Sequence, residues 1–239
     1  SSTATTAGSR HSQPRHSRPI LFSFWFIRYF LSGAGRLSLS LLLDIYYERG
    51  LHMPEDAYLP LTRLTDAACR LAEMGKDSRL SPSAAQREDA ALLRRTAETV
   101  YEHGRNRLQH AFITPIERED LLMLTQRMLC LVRCLERLQQ PVCQAVPAKL
   151  RACLPTAAGH LSACCTALRQ MTAAMPMLRR SDGFAKPLQT VRRQAEDAER
   201  LLSALSPTEA CPMFYRLEAA LEACRSAADG FALAVLKNS

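Results

Sequence analysis

From Met53 onward, apolar residues return every three or four positions, the spacing that lines up one side of an α-helix and buries it as a stripe. Leu61, Leu64, Ala68 and Leu71 predict a first helix. Ser81-Pro82 predicts the opening of a second, which runs to about His110 with Leu93, Ala97, Val100 and Leu108 turned inward. A third carries Leu121, Leu124, Met128, Leu131, Leu135 and Leu138 and ends before Pro141. After Pro147 a long fourth stripe runs through Leu150, Leu154, Ala157, Leu161, Cys164, Leu168, Met171 and Met175, and Ser181-Asp182-Gly183 predicts a loop. Leu188, Val191, Ala195, Ala198, Leu202 and Leu205 mark the fifth helix, and Phe214, Leu217, Leu221, Cys224, Ala228, Phe231 and Val235 the sixth. Such heptad-like spacing, with few strand-forming runs, predicts an all-α bundle of six helices packed like coiled coils.

Two helix starts share one device. Thr114-Pro115-Ile116-Glu117 offers a hydroxyl at the N-cap, a proline at the first helical position and a carboxylate at the third, a capping box; Ser206-Pro207-Thr208-Glu209 offers the same. Each follows a helix holding Arg-Arg-x-Ala-Glu, at Arg94 to Glu98 and at Arg192 to Glu196. The pairing predicts two repeats of three helices, against the plainer alternative that capping boxes recur in any helical protein.

Residues 1 to 52 follow a different pattern. The first 18 are rich in Ser, Thr, Ala and Arg without periodicity, which predicts disorder. An aromatic stretch then runs from Pro19 to Leu31, broken by Arg28, with Gly33, Gly35 and Arg36 before a second apolar run at Leu37 to Leu43. A bilayer-spanning helix wants about 20 apolar residues free of a central charge. A secretory signal, a membrane-surface helix and sequence outside the natural product compete to explain this segment. The third is favoured: Glu48-Arg49-Gly50 can be encoded by a purine-rich string resembling a bacterial ribosome-binding sequence, with Leu51-His52 as spacer before Met53. The expected native start is therefore Met53.

The formal charge of +8 raises the question of nucleic acid, but its distribution argues against it. Residues 1 to 52 hold six Arg against Asp44 and Glu48, while residues 53 to 239 mix 25 basic and 21 acidic side chains, as a solvated helix surface does. The nine cysteines include no C-x-x-C pair, and the six histidines do not sit at ligand spacing beside them, so a zinc site is not expected. Cys153, Cys164 and Cys224 fall among apolar helical positions, where a reduced thiol acts as a small hydrophobe; this predicts a reducing, cytoplasmic setting. No P-loop, dinucleotide-binding glycine pattern, nucleophile elbow or H-E-x-x-H occurs, so the chain is not expected to be an enzyme.

His110 to Asp120 reads His-Ala-Phe-Ile-Thr-Pro-Ile-Glu-Arg-Glu-Asp. With Phe112, Thr114, Pro115, Arg118, Glu119 and Asp120, this string resembles the hallmark of the PhoU-related accessory proteins of Pit-type phosphate transporters. The carboxy-terminal Leu217-Glu218-Ala219-Ala220, Cys224 and closing Val235-Leu236-Lys237-Asn238 resemble that family too. The resemblance covers about residues 56 to 239. It implies a PhoU-like domain over 53 to 239, two three-helix repeats, and a cytoplasmic regulator of phosphate uptake, peripheral to the inner face of the membrane. It implies no catalysis. The implied partner is a Pit-type transporter or another protein, not nucleic acid, with a homo-oligomer left open.

In PhoU-like proteins, carboxylates spaced i, i+4 on facing helices are the usual ligands of a divalent or ferric metal. The resemblance would place such acids near 129, 130 and 133, where this chain has Leu129, Cys130 and Arg133. The earlier pair reads Arg94 and Glu98, and its second-repeat counterpart Ala195 and Glu199. Only Glu218 and Glu222 remain as a spaced pair, a degenerate metal site whose plainer reading is solvated surface acids. No cofactor is expected. A metal-binding bundle of PhoU type is the alternative function, and it would need three or more converging ligands.

Overall fold

In the computed structural model the described residues are 57–77, 81–110, 114–142, 144–177, 182–205 and 211–238, all within one unit spanning His52–Ser239. The expected start at Met53, Phe112, and the proposed second capping box at Ser206 to Glu209 lie outside them. Six α-helices account for most of the described residues: α1 (Leu59–Asp77), α2 (Ala84–His110), α3 (Arg118–Leu138), α4 (Ala148–Ala174), α5 (Asp182–Ser203) and α6 (Pro212–Asn238). Among the described residues there is no strand.

The stripes are buried largely as their spacing predicts, with Leu93, Val100, Leu188, Leu205, Phe214 and Val235 only partly buried against the core. Leu61, Leu64, Ala68 and Leu71 of α1 have no exposed surface, and Leu121, Leu124, Met128 and Leu131 of α3 likewise. The α4 stripe from Leu150 to Met171 and the α6 stripe from Leu217 to Phe231 close the same core. Burying each leucine stabilises the fold by about 1.5–3 kcal/mol, enough for the stripes to set which faces meet.

The helices group as α1-α2-α3 and α4-α5-α6, with contacts inside each group and two seams between the groups, α1 on α4 and α3 on α6. Each seam joins a helix to its counterpart in the other repeat, and both are antiparallel. Along α1 and α4, Thr65 and Thr172 share a hydrogen bond of 3.0 Å, the Cys69 thiol donates to the Cys165 carbonyl at 3.2 Å, and Ser162 donates to Glu73. Along α3 and α6, Arg216 donates to the Arg137 and Gln140 carbonyls at 3.0 and 2.8 Å. Arg127 donates to the Ser226 carbonyl further along, and Lys237 reaches Asp120 at the far end.

Three helix starts differ from the expectation: that of α2, which begins at Ala84 and not at Ser81-Pro82, and those of α3 and α5. Thr114 does not cap α3: its hydroxyl donates to the Ile116 carbonyl at 2.7 Å, and Pro115 and Ile116 stay in a bend. The helix begins three residues later, at Arg118, with Glu117 at the N-cap position and no side-chain cap. A hydroxyl engaged with a carbonyl two residues on stabilises a local turn that competes with the helix. The reciprocal box sits instead at α2, where the Ser83 amide donates to Gln86 Oε1 at 2.8 Å and the Gln86 amide to Ser83 Oγ at 3.2 Å. Asp182 and Gly183, expected in a loop, form the first residues of α5.

Candidate functional site

The acids and bases of the second and third helices of each repeat are the natural place to look for a site. In the first repeat, Arg133 of α3 donates from Nε to Glu98 Oε1 of α2 at 3.0 Å, and its Nη2 lies 3.0 Å from the same oxygen. Arg94, one turn before Glu98, holds the other oxygen at 2.7 Å and reaches Glu136 of α3 at 3.8 Å. Two guanidiniums and two carboxylates thus neutralise one another between α2 and α3. Burial pushes the Glu98 carboxyl up, but the hydrogen bonds from Arg133 and Arg94 outweigh it and hold the group below its ordinary value.

The second repeat has the same device. Arg225 of α6 is in charge contact with Glu199 of α5, and its Nη1 lies 4.0 Å from Glu222. Its Nε finds no acceptor among the described residues. A groove of about 590 Å³ runs beside this pair, lined by Glu196, Glu199, Arg200, Phe214 and Glu218. Glu196 and Asp197 both meet Arg200, at 3.8 and 3.2 Å. The repeated Arg-Arg-x-Ala-Glu string diverges here, because Arg192 turns to Asp229 of α6 at 3.5 Å instead of pairing within its own helix.

These donors do not fit the metal that the PhoU resemblance implies. Glu98, Glu199 and Glu222 each face a guanidinium, and a cation placed among them would meet that charge at short range. Glu218 is exposed and has no partner among the described residues, while the Glu222 side chain is 73% exposed; both look like solvated surface acids. Among the described residues no group of three or more His, Cys, Asp or Glu side chains is placed to hold a metal ion.

The motif at the α2–α3 junction has a structural use. Asp120 is buried, with 2% of its surface exposed, and receives hydrogen bonds from Lys237 Nζ at 3.0 Å and Asn238 Nδ2 at 3.2 Å. The two stretches singled out separately in the sequence, Arg118-Glu119-Asp120 and the closing Lys237-Asn238, therefore meet. The Asp120 hydrogen bond and charge raise the Lys237 pKa. Arg118 is exposed and donates to the Gln109 carbonyl at 3.5 Å, a cation at the carbonyl end of α2. Glu119 is exposed in the first turn of α3, where a carboxylate favours the helix N-terminus. Pro115 is exposed in the bend.

Sequence reasoning missed Glu136 and the pairing of Glu199 with Arg225, whereas Cys164 and Cys224 are buried as expected. Cys164 and Cys165 of α4 hydrogen-bond Cys224 of α6, which raises the Cys224 thiol well above its ordinary value, with burial adding to it. Burial pushes Cys69 up to about 12. These are inert core thiols, and all the described cysteines are free. Cys153, expected in the core, is half-buried. Arg133 and Arg225, each on the third helix of its repeat facing a glutamate on the second, were the signal that could have revealed the paired device.

Comparison with solved structures supports the fold. The chain is similar to the crystal structure of a PhoU-like protein from Shewanella oneidensis MR-1, with a TM-score of 0.52 and 16% identity over 76% of this chain and 99% of that one. A PhoU-like phosphate regulatory protein from the same organism gives a TM-score of 0.46 at 16% identity, over 76% of this chain and 96% of that one. No protein-family model matches the chain, and no curated protein does. The class defined is an all-helical, PhoU-like bundle of two three-helix repeats.

Proposed function

We propose that this chain is a non-catalytic regulator of phosphate transport that acts by contact with a protein, a Pit-type phosphate transporter being the partner. The PhoU-like fold and the His110 to Asp120 motif support the phosphate connection. The observation that carries the mode of action is the pairing of Glu98 with Arg133 and of Glu199 with Arg225. It commits to internal ion pairs the acids that would otherwise gather a cation, and leaves helix surface as the means of action. That surface is largest on α2, of whose 27 residues only Ala90, Ala97, Gly104 and Leu108 are buried. Leu92 of α2, 56% exposed, lines a groove of about 830 Å³ between α1, α2 and α4 together with Arg70, Glu73, Asp89 and Arg169, which we take as the contact surface for the partner. The setting is the cytoplasm, at the inner face of the membrane; among the described residues no helix is long and apolar enough to cross it.

The test is co-expression with a Pit-type permease. The chain is expected to co-purify with the permease and to change phosphate uptake by the cells, and Leu92→Asp is expected to weaken both effects. Unchanged uptake together with no co-purification would overturn the proposal.

A further inference from the structure

Cys130 and Cys134 of α3 are one helical turn apart, so their side chains leave the same face. They lie outside the core cluster of thiols: Cys130 is exposed, Cys134 half-buried, and both are free. Burial, and then the neighbouring Cys130, push the Cys134 thiol up to about 11, and the Arg137 guanidinium opposes that rise. They are two soft ligands on one face of the helix, Cys130 open to solvent and Cys134 packed against the core.

A disulfide between them is disfavoured by the helix itself. Cβ atoms at i and i+4 stand about 5–6 Å apart, whereas a disulfide needs them within about 3.5–4.5 Å. Oxidation would therefore have to unwind a turn of α3 that carries the buried Leu131 and Leu135. A bridging atom between the sulfurs removes that constraint. Zinc held structurally wants four ligands, and no group of three His, Cys, Asp or Glu side chains is available among the described residues. The ion that two thiolates satisfy is soft and accepts low coordination, which among common cellular metals is Cu(I). The surroundings agree in sign: a bis-thiolate Cu(I) centre is an anion, and Arg137 follows Cys134 by three residues on the same helix.

We propose that Cys130 and Cys134 form a two-thiolate site for monovalent copper on the surface of α3. On binding, both S–H bonds break, two Cu–S bonds form and two protons pass to solvent, with no change in oxidation state. The site is separate from the ion pairs of α2 and α3 and does not depend on the phosphate-related reading.

Anaerobic titration of the full chain with Cu(I), against a competing chromophoric chelator, tests it. One Cu(I) per chain is expected, with two sulfur neighbours by X-ray absorption. Losing a metal's outer-sphere partner already costs about 10–100-fold in affinity, so Cys130→Ser, a change at an exposed position, should weaken binding by about 100-fold or more. Cys134→Ser should do the same, while Cys153→Ser should leave binding unchanged. Circular dichroism of each variant checks that the helix content is kept. Undiminished binding in a folded Cys130→Ser plus Cys134→Ser variant, or no competition for Cu(I) by the unaltered chain, would overturn the proposal.

Discussion

Arg133 of α3 places both Nε and Nη2 3.0 Å from a single oxygen of Glu98 on α2, a guanidinium where the PhoU resemblance leads one to expect an acid. The side chains are 51% and 30% exposed, so the pair adds only about 0–1 kcal/mol to stability. Its consequence is electrical. Arg133→Leu should lower the melting temperature little and raise the Glu98 pKa, which NMR titration of the side-chain carboxyl would measure. Because the folded-state pKa of Glu98 is lowered, the pair's contribution is present above the ordinary glutamate pKa and is lost as pH falls through the lowered value. A Glu98 titration that is the same in both proteins would contradict the assignment.

Asp120 ties the start of α3 to the end of α6, and its removal should loosen that end first. Asp120→Ala should lower the melting temperature and speed amide exchange over the last turn of α6, with α4 and α5 unaffected. The Lys237 pKa is raised in the folded state, so its contribution is complete below the ordinary lysine pKa and is lost as pH rises through the raised value. Stability measured through the alkaline range should therefore fall more steeply in the unaltered chain than in Lys237→Met.

Gly104 of α2 lies against Pro60 of α1, and a Cβ there would come within 2.7 Å of both Pro60 Cβ and Cγ. The ring cannot swing away. Gly104→Ala gains about 1 kcal/mol of helix propensity, but overpacking of this kind costs about 1–3 kcal/mol, so the variant should be less stable on balance. Denaturant unfolding would read the difference, and a stabilised variant would show that α1 and α2 can part at this crossing.

Ser83→Ala removes one half of the reciprocal cap at α2 and should cost about 1 kcal/mol. Thr114→Ala removes a hydrogen bond inside a bend ahead of α3 and should cost less. Equal losses in thermal melts would mean that Thr114 serves the helix after all.

The contrast between Ser83 and Thr114 shows what the sequence could and could not convey. Stripes such as Leu121-Leu124-Met128 depend on spacing within one helix, and all three residues are fully buried as expected. The grouping into two three-helix repeats was suggested by similar local strings at similar places, but the strings themselves diverge, since Thr114 does not cap α3 and Arg192 turns to Asp229. Cap chemistry was less legible, because Thr-Pro-x-Glu is compatible both with a capping box and with the bend that forms when the hydroxyl turns to the Ile116 carbonyl. Contacts between distant residues, Asp120 with Lys237 or Glu199 with Arg225, carry no periodicity that marks them. Of the expected metal pair, spacing alone suggested convergence, whereas Glu222 lies beside Arg225 and Glu218 stands in the groove with Glu196 and Glu199.

The central claim is that arginines have closed the acidic positions, so that the chain works through its surface and not through a carboxylate-bound metal. Elemental analysis of the chain purified without chelator tests it most directly. Iron, manganese and zinc are predicted well below one atom per chain, with no change on Glu218→Ala plus Glu222→Ala. About one such atom per chain, lost in that double variant, would contradict the account and make the protein a metal-binding bundle.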